Sequence, residues 1–347
     1  MALAAGNESV YSRDMTSRVS TRFGLVLSNR SGVLAGSLGA GTEKILDRAS
    51  RAEACSRFEH VWVGDSIMAK PRVESITLLS AIAARTRDVR LGVACMATLP
   101  SRNPVLVAYQ WASLDLISGG RTILGACMGG GAGEQQHRAE YTNMGIRAAE
   151  RAERLEENVE ILRRLWSEER VTHRGRFHQL EDAFVEPAPL QKPPPIWMAG
   201  TPVLGRTPEH LRERNLRRVA RLGDGWMMTA LPLRDFSTFR QQIIDYAPDY
   251  DRSFEGRPCC LYYNVNINAD PTVALRQSKA YLDAYYSMDA PIEYIGASVA
   301  HGPPEACAER LRSFIDAGAT DILLRFTAED EDEQLERAIG ELLPLFD

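Results

Sequence analysis

The chain has 347 residues, 44% hydrophobic and 25% charged, with a net charge of −5 and a pI near 5.8, a globular composition long enough for one large domain or two medium ones. It has no Lys/Arg tract, which argues against a nucleic-acid phosphate footprint, and no apolar run near the roughly 18 residues of a membrane span. Six scattered cysteines without a CxxC pair read as reduced thiols of a cytoplasmic protein, and six histidines without a HExxH or paired-cysteine pattern argue against a metal site.

Met1–Thr21 is polar, lacks the apolar middle of a secretory signal and reads as a loose tail. Phe23–Leu27 is a first short strand, ending in a loop from Ser28 to Gly32. Thr42 opens a helix to about Arg57. The second strand, Val61–Val63, runs into Gly64-Asp65-Ser66 and is followed by a helix over Val73–Arg85. Strand three is Val89–Cys95. Asn103-Pro104 starts a helix over Val105–Ile117 that stops at Ser118-Gly119-Gly120, the usual Pro-in, Gly-out asymmetry of helix ends. Strand four, Arg121–Met128, empties into Gly129-Gly130-Gly131, a backbone that a ligand can approach closely.

There the rhythm breaks. Met128–Gly145 is glycine-rich, then polar, and longer than a normal βα loop. Arg147–Trp166 is a long helix, and Val171–Leu180 a small hairpin turning at Arg174-Gly175. A proline-rich connector leads to strand five, Ile196–Ala199. Then come a helix over Pro208–Leu222, strand six at Trp226–Thr229 and a helical Leu233–Asp249. Strand seven, Leu261–Ile267, precedes helical patterns over Thr272–Tyr286 and Pro304–Ala317. Strand eight is Asp321–Phe326, and Glu333–Leu345 is the last helix.

Strict β/α alternation demands a parallel sheet covered by helices. Eight units predict a (β/α)₈ TIM barrel over 22–347 with an insertion after strand four. The alternative is an open doubly-wound sheet, but no Rossmann glycine fingerprint opens a helix. In such a barrel, ligands sit at the C-terminal strand ends. That rule gathers Asn29, Asp65-Ser66, Cys95, Cys127, Gly200-Thr201 and Arg325 at one mouth, with the segment after strand four as a lid carrying His137, Arg138 and Tyr141. The mouth holds one carboxylate, no histidine and no strand-end lysine. So sparse an acid–base inventory suits a bound organic cofactor that carries the chemistry itself.

The motifs Val61-Trp62-Val63-Gly64-Asp65, Arg90-Leu91-Gly92, Arg102-Asn103-Pro104, Leu114-Asp115, Ser118-Gly119-Gly120-Arg121, Leu124-Gly125, Pro195-Ile196-Trp197 and Gly223-Asp224-Gly225-Trp226 stand together in an order that resembles the bacterial-luciferase-like monooxygenase superfamily, over about Phe23 to Phe346. The resemblance implies a (β/α)₈ barrel that uses reduced FMN with O₂, or a deazaflavin (F420) as hydride carrier, often as a homodimer joined through the early helices. It implies a non-prolyl cis peptide at Ala94-Cys95 against the flavin ring and a phosphate-binding turn at Ala199-Gly200-Thr201. Gly129 joins this cofactor bed. Cys127 falls where luciferases have a reactive cysteine; it reads as a cofactor contact, a group in the chemistry, or a small buried hydrophobe. Asp65 and Ser66 occupy the catalytic positions after strand two. Ser66 stands where many relatives have histidine, and Gly130 where sugar-phosphate deazaflavin dehydrogenases have glutamate, which disfavours an alcohol oxidation built on those groups. Arg325 pairs either an anionic ligand or a barrel-end carboxylate.

Three functions are consistent with these residues. The leading expectation is a monooxygenase using O₂ and reduced FMN from a separate flavin reductase on a small organic substrate. The second is F420-dependent hydride transfer, and the third a non-catalytic barrel subunit.

Overall fold

The computed structural model describes residues 21–30, 38–130, 134–202, 204–205, 207–229 and 232–347. Nearly all of the expected tail, the end of the first loop, Gly131 and Val203 lie outside the described residues.

All eight expected strands form, and they close. β1 (Arg22–Leu27), β2 (His60–Val63), β3 (Arg90–Met96) and β4 (Thr122–Ala126) are joined through α1 (Leu38–Ala54), α2 (Ser75–Arg85) and α3 (Pro104–Ser118). After β4 come α4 (Glu134–Asn143), α5 (Arg151–Ser167) and the antiparallel hairpin β5 (Val171–Arg174) and β6 (Gln179–Ala183). The barrel resumes with β7 (Ile196–Ala199), α6 (Glu209–Leu222), β8 (Gly225–Thr229), α7 (Leu233–Tyr246), β9 (Cys259–Ile267) and α8 (Pro271–Tyr286). It ends with α9 (Ile292–Ala297), β10 (Val299–Gly302), α10 (Pro304–Asp316), β11 (Asp321–Phe326) and α11 (Glu331–Arg337). Parallel pairing runs β1-β2-β3-β4-β7-β8-β9-β11 and back to β1, so the sheet is a closed barrel and not an open one. β9 is long enough to pair β8 along Cys259–Tyr262 and β10 along Asn264–Ile267.

Three stretches, holding four elements, depart from the sequence reading. The polar part of the lid segment is a helix, α4. Only His137, Glu140 and Tyr141 are buried along its 135–143 stretch, and polar residues at that spacing give no hydrophobic period to read. α9 and β10 fill a stretch too short for periodicity to register. The last helix, expected over Glu333–Leu345, starts at Glu331, tightens into a π turn over Ala338–Leu342 and ends in a 3₁₀ turn.

The alternation of strand side chains divides the core in two. Outward residues join the helices in one large apolar layer. Inward, each barrel strand contributes one member of a second cluster: Val26, Trp62, Ala94, Ile123, Trp197, Met227, Cys260 and Leu323. Cys259 and Cys260 thus lie on opposite faces of β9, as their adjacency predicts. Trp62 and Trp197 fill the floor with ring centroids 5.3 Å apart. Glycines on adjacent strands make room: a Cβ on Gly92 would lie 2.2 Å from the Trp62 ring, and one on Gly225 would lie 2.8 Å from Trp197. His60 is sealed beside them, and burial pushes its pKa down to about 4, so it is a neutral floor residue at physiological pH. A floor plugged by two indoles leaves only the C-terminal end of the barrel open to a ligand.

Candidate active site

Two strands beyond the floor supply a shelf. The Ala94–Cys95 peptide is cis, and the pairing of β3 with β4 shifts register between Val93 and Met96. Cys95, Ala199 and Tyr262 sit above the inner cluster as its partly buried rim. A hydrogen bond with Cys127 and burial push the Cys95 thiol well up, which holds it as a neutral thiol. The glycines that follow are bare for steric reasons. Gly129 has φ of 65°, and a Cβ there would lie 2.4 Å from the Tyr141 hydroxyl and 2.7 Å from the Ala97 carbonyl. The shelf is therefore small, mostly uncharged and made largely of backbone.

Several expected site residues are occupied by the scaffold. Asp65 accepts four hydrogen bonds: from Ser75 Oγ (2.9 Å) and Arg102 (2.9 Å) at one oxygen, and from the Thr98 amide (2.9 Å) and hydroxyl (2.7 Å) at the other. It ties the exits of β2 and β3 together. Asn29 braces the first two loops, donating to the Gly64 and Val73 carbonyls at 2.9 and 2.8 Å. The Gly200 amide donates to the Met227 carbonyl (3.0 Å), and α6 starts only at Glu209, so the turn at Ala199-Gly200-Thr201 is not the start of a helix and Gly200 has no amide to spare for a phosphate. Thr201 Oγ1 accepts from the Thr229 amide at 3.3 Å.

The lid residues divide in the same way. Arg138 is exposed on the far side of α4, and His137 is buried. Tyr141, 2% exposed, lies beneath the strand-four exit, receiving a 3.3 Å hydrogen bond from Arg151. Sequence reading missed Glu140, which is 1% exposed. One of its oxygens accepts the amides of Ile67, Met68 and Ala69 at 2.8, 2.6 and 2.9 Å and the Ser66 hydroxyl at 3.3 Å. The loop after β2 is thus wrapped around a carboxylate from the lid. Glu140→Ala leaves those amides unsatisfied, an expected cost of about 2–3 kcal/mol, or roughly a hundred-fold more frequent local opening. Hydrogen exchange over 66–70 and 134–143 should rise accordingly, with Glu140→Gln intermediate; unchanged exchange in both segments would show that the contact does not hold the lid.

Beyond that loop stands a wall of cations and tyrosines. Arg325, 4% exposed, donates to Asn264 Oδ1 (2.8 Å) and the Tyr286 hydroxyl (3.0 Å), and its guanidinium lies 4.8 Å from the Tyr285 ring centroid. Among the described residues no carboxylate pairs with it. Lys70 sits over Tyr286 at 4.6 Å, Arg72 donates to the Tyr285 hydroxyl at 3.1 Å, and Arg30 donates to the Tyr285 carbonyl at 2.8 Å. Burial pulls Lys70 down to about 8; Tyr285 opposes this, and Arg72, Arg30 and Arg325 add to it. Lys70 is therefore charged below pH 8 and neutral above it. Reductive ¹³C-methylation should show one lysine resonance that titrates near pH 8 and is missing from Lys70→Met. A Lys70 midpoint above 10, like an exposed lysine, would refute the assigned burial. These residues come from the loops after β1 and β2, from α8 and from β11, and no local motif marks them in the sequence.

The profile of the family described as luciferase-like monooxygenase matches residues 21–321. The chain is similar to the F420-dependent glucose-6-phosphate dehydrogenase of Kineococcus radiotolerans, 27% identical over 327 residues, covering 87% of this chain and 92% of that protein. It is similar, too, to the enzyme of that name from Intrasporangium calvum, 26% identical, covering 88% and 95%. Among solved structures it superposes on a monooxygenase from Streptomyces bottropensis with a TM-score of 0.77 at 24% identity, covering 94% of this chain and 100% of that one. It also superposes on an F420-dependent secondary alcohol dehydrogenase in complex with an F420–acetone adduct, with a TM-score of 0.78 at 17% identity, covering 94% and 99%.

Proposed function

The chain belongs to the luciferase-like monooxygenase family, and on that premise we propose that it is an F420-dependent oxidoreductase moving a hydride between the deazaflavin and a small organic substrate. The observation that carries the proposal is the small, largely backbone shelf at the mouth, facing a wall rich in cations. Curated relatives that align along nearly nine-tenths of the chain and are named for F420 support the same choice. Reduced FMN with O₂ and a separate reductase is the competing reading within the family.

The cofactor bed would be Ala94, Cys95, Cys127, Gly129, Ala199, Gly200 and Thr201; the glycine stripped of side chain at the strand-four exit fits a flat group lying close to backbone. The deazaflavin, when bound, supplies a hydride acceptor or donor that does not depend on O₂. The chain's own residues do the rest. Asp65, Ser66 and Glu140 hold the rim in shape. The lid, with His137, Glu140 and Tyr141 on its inner side, would exclude water. A hydride moving at a carbon that bears oxygen requires a proton to move at that oxygen. Tyr285 Oη suits that proton transfer, because although burial raises its pKa, Arg72, Arg325 and Lys70 outweigh burial and leave it lowered. Cys127 takes a contact role here.

The test is a titration of the purified protein with F420 and, separately, with FMN, following quenching of tryptophan fluorescence. F420 should bind in the micromolar range and FMN much more weakly. Tight FMN binding with O₂ consumption in place of F420 binding would replace the proposal with the monooxygenase, and binding of neither would leave a non-catalytic barrel.

We further propose a homodimer through α2 and α3 of a cytoplasmic protein. Leu106 and Ile117 on α3 are 58% and 55% exposed and three helical turns apart, so they lie on one face. Sedimentation of Leu106→Glu/Ile117→Glu as a monomer, against a dimeric parent, is the expected outcome. No described helix is long and apolar enough to cross a membrane.

A further inference from the structure

Buried positive charge in this protein follows two patterns. Four arginines are buried among the described residues: Arg30, Arg48, Arg218 and Arg325. Arg48 has Glu331 at 2.6 Å and Asp332 at 2.8 Å, and Arg218 has Glu156 at 2.8 Å. Arg30 and Arg325 have no carboxylate, and both stand in the wall at the mouth, beside Lys70 and Arg72, which have none either among the described residues. The 31–37 segment that follows Arg30 contains no Asp or Glu in its sequence.

Four cations therefore crowd two adjacent tyrosines, Tyr285 and Tyr286, whose ring centroids are 4.9 Å apart. Ring faces soften each charge, with Arg30, Arg72 and Arg325 at 5.4, 5.7 and 4.8 Å from the Tyr285 centroid, but neutral rings cannot cancel a net charge of four. Bringing like charges out of water with no counter-charge is costly. Arg30 Nε is buried with no hydrogen-bond partner among the described residues. A group that folding leaves this unbalanced is completed by an anion from outside, and guanidinium forks suit a planar carboxylate or a phosphate.

We propose that this wall is the substrate's anion subsite: Arg30, Lys70, Arg72 and Arg325 take a carboxylate or phosphate of the substrate, with Tyr285 and Tyr286 as the floor that holds the cations in place. The assignment rests on the reading of the mouth as an oxidoreductase site, but its test does not require turnover. It also explains why the lid grips the loop after β2. Ser66 Oγ accepts the Lys70 amide at 2.9 Å, so the carboxylate of Glu140, by fixing 66–70, fixes where Lys70 stands.

The experiment is calorimetric titration of the full chain at pH 7, with and without saturating F420. Glucose 6-phosphate and benzoate are the anionic probes, and glucose and benzyl alcohol their neutral counterparts. At least one anion should bind ten-fold or more tighter than its counterpart, and which one does so separates phosphate from carboxylate. Lys70→Met and Arg72→Met should each weaken it roughly ten-fold, with Lys70→Arg recovering most of the loss. Arg325→Met should weaken it further; the Lys70 and Arg72 variants decide the matter if that protein does not fold. Anions binding no better than neutral probes, or unchanged in Lys70→Met and Arg72→Met, would overturn the subsite. So would displacement of every anion by F420, because the wall would then hold the cofactor's own acidic tail. Anion binding that persists while F420 fails to bind would instead remove the proposed function and leave the subsite standing.

Discussion

Asp65→Ala is expected to lower the unfolding free energy by about 3–5 kcal/mol, the cost of breaking a buried ion pair from one side. The carboxylate is surrounded by donors: Ser75, Arg102 and both polar groups of Thr98, all within 2.9 Å. Truncation strands the Thr98 amide in a buried turn and leaves Arg102 with the Thr98 hydroxyl (2.8 Å) and a single carboxylate, the partly exposed Glu74 (3.0 Å). Asp65→Asn should lose less, because one amide oxygen can still accept, but its NH₂ must face a donor at the other position. Urea denaturation measures both through a shift of the midpoint at constant slope. If Asp65→Asn instead keeps the parent midpoint and loses turnover alone, Asp65 belongs to the chemistry and not to the frame of the mouth.

Gly92→Ala adds one methyl group in the barrel floor. That carbon would stand 2.2 Å from the six-membered ring of Trp62. Trp62 has nowhere to go, since it is fully buried against Trp197 and faces His60 with centroids 6.0 Å apart. Overpacking commonly costs about 1–3 kcal/mol; here the obstacle is a rigid ring on an adjacent, register-locked strand, so a loss of about 3 kcal/mol or more is expected. A second change, Trp62→Leu, should restore part of that loss in the Gly92→Ala background while destabilising the parent, a coupling a double-mutant cycle reads directly. Gly92→Ala with parental stability would mean that the floor is looser than its packing indicates. The floor matters to function because it confines the ligand to one end of the barrel.

The barrel was legible in the chain because its cause is local. Short apolar runs alternating with amphipathic helices can bury both faces of a parallel sheet only by wrapping, and eight such units close a ring; each of the eight strands appears where its own residues predict it. The strand-end rule likewise put Asp65, Cys95, Cys127 and Arg325 at one mouth. What those residues do there was not legible. Asp65 looked like a lone acid and is consumed by four donors from two loops. The lid helix hid because its inner side is histidine, glutamate and tyrosine, which have no hydrophobic period. The wall of cations was invisible for a deeper reason. Arg30, Lys70 and Arg72 read as ordinary loop charges, and Tyr285 and Tyr286 as one end of a helix, until ring closure brings the first, second, seventh and eighth units side by side. Pattern along a chain fixes which faces are buried; only the closing of the ring decides which charges end up without a counter-charge.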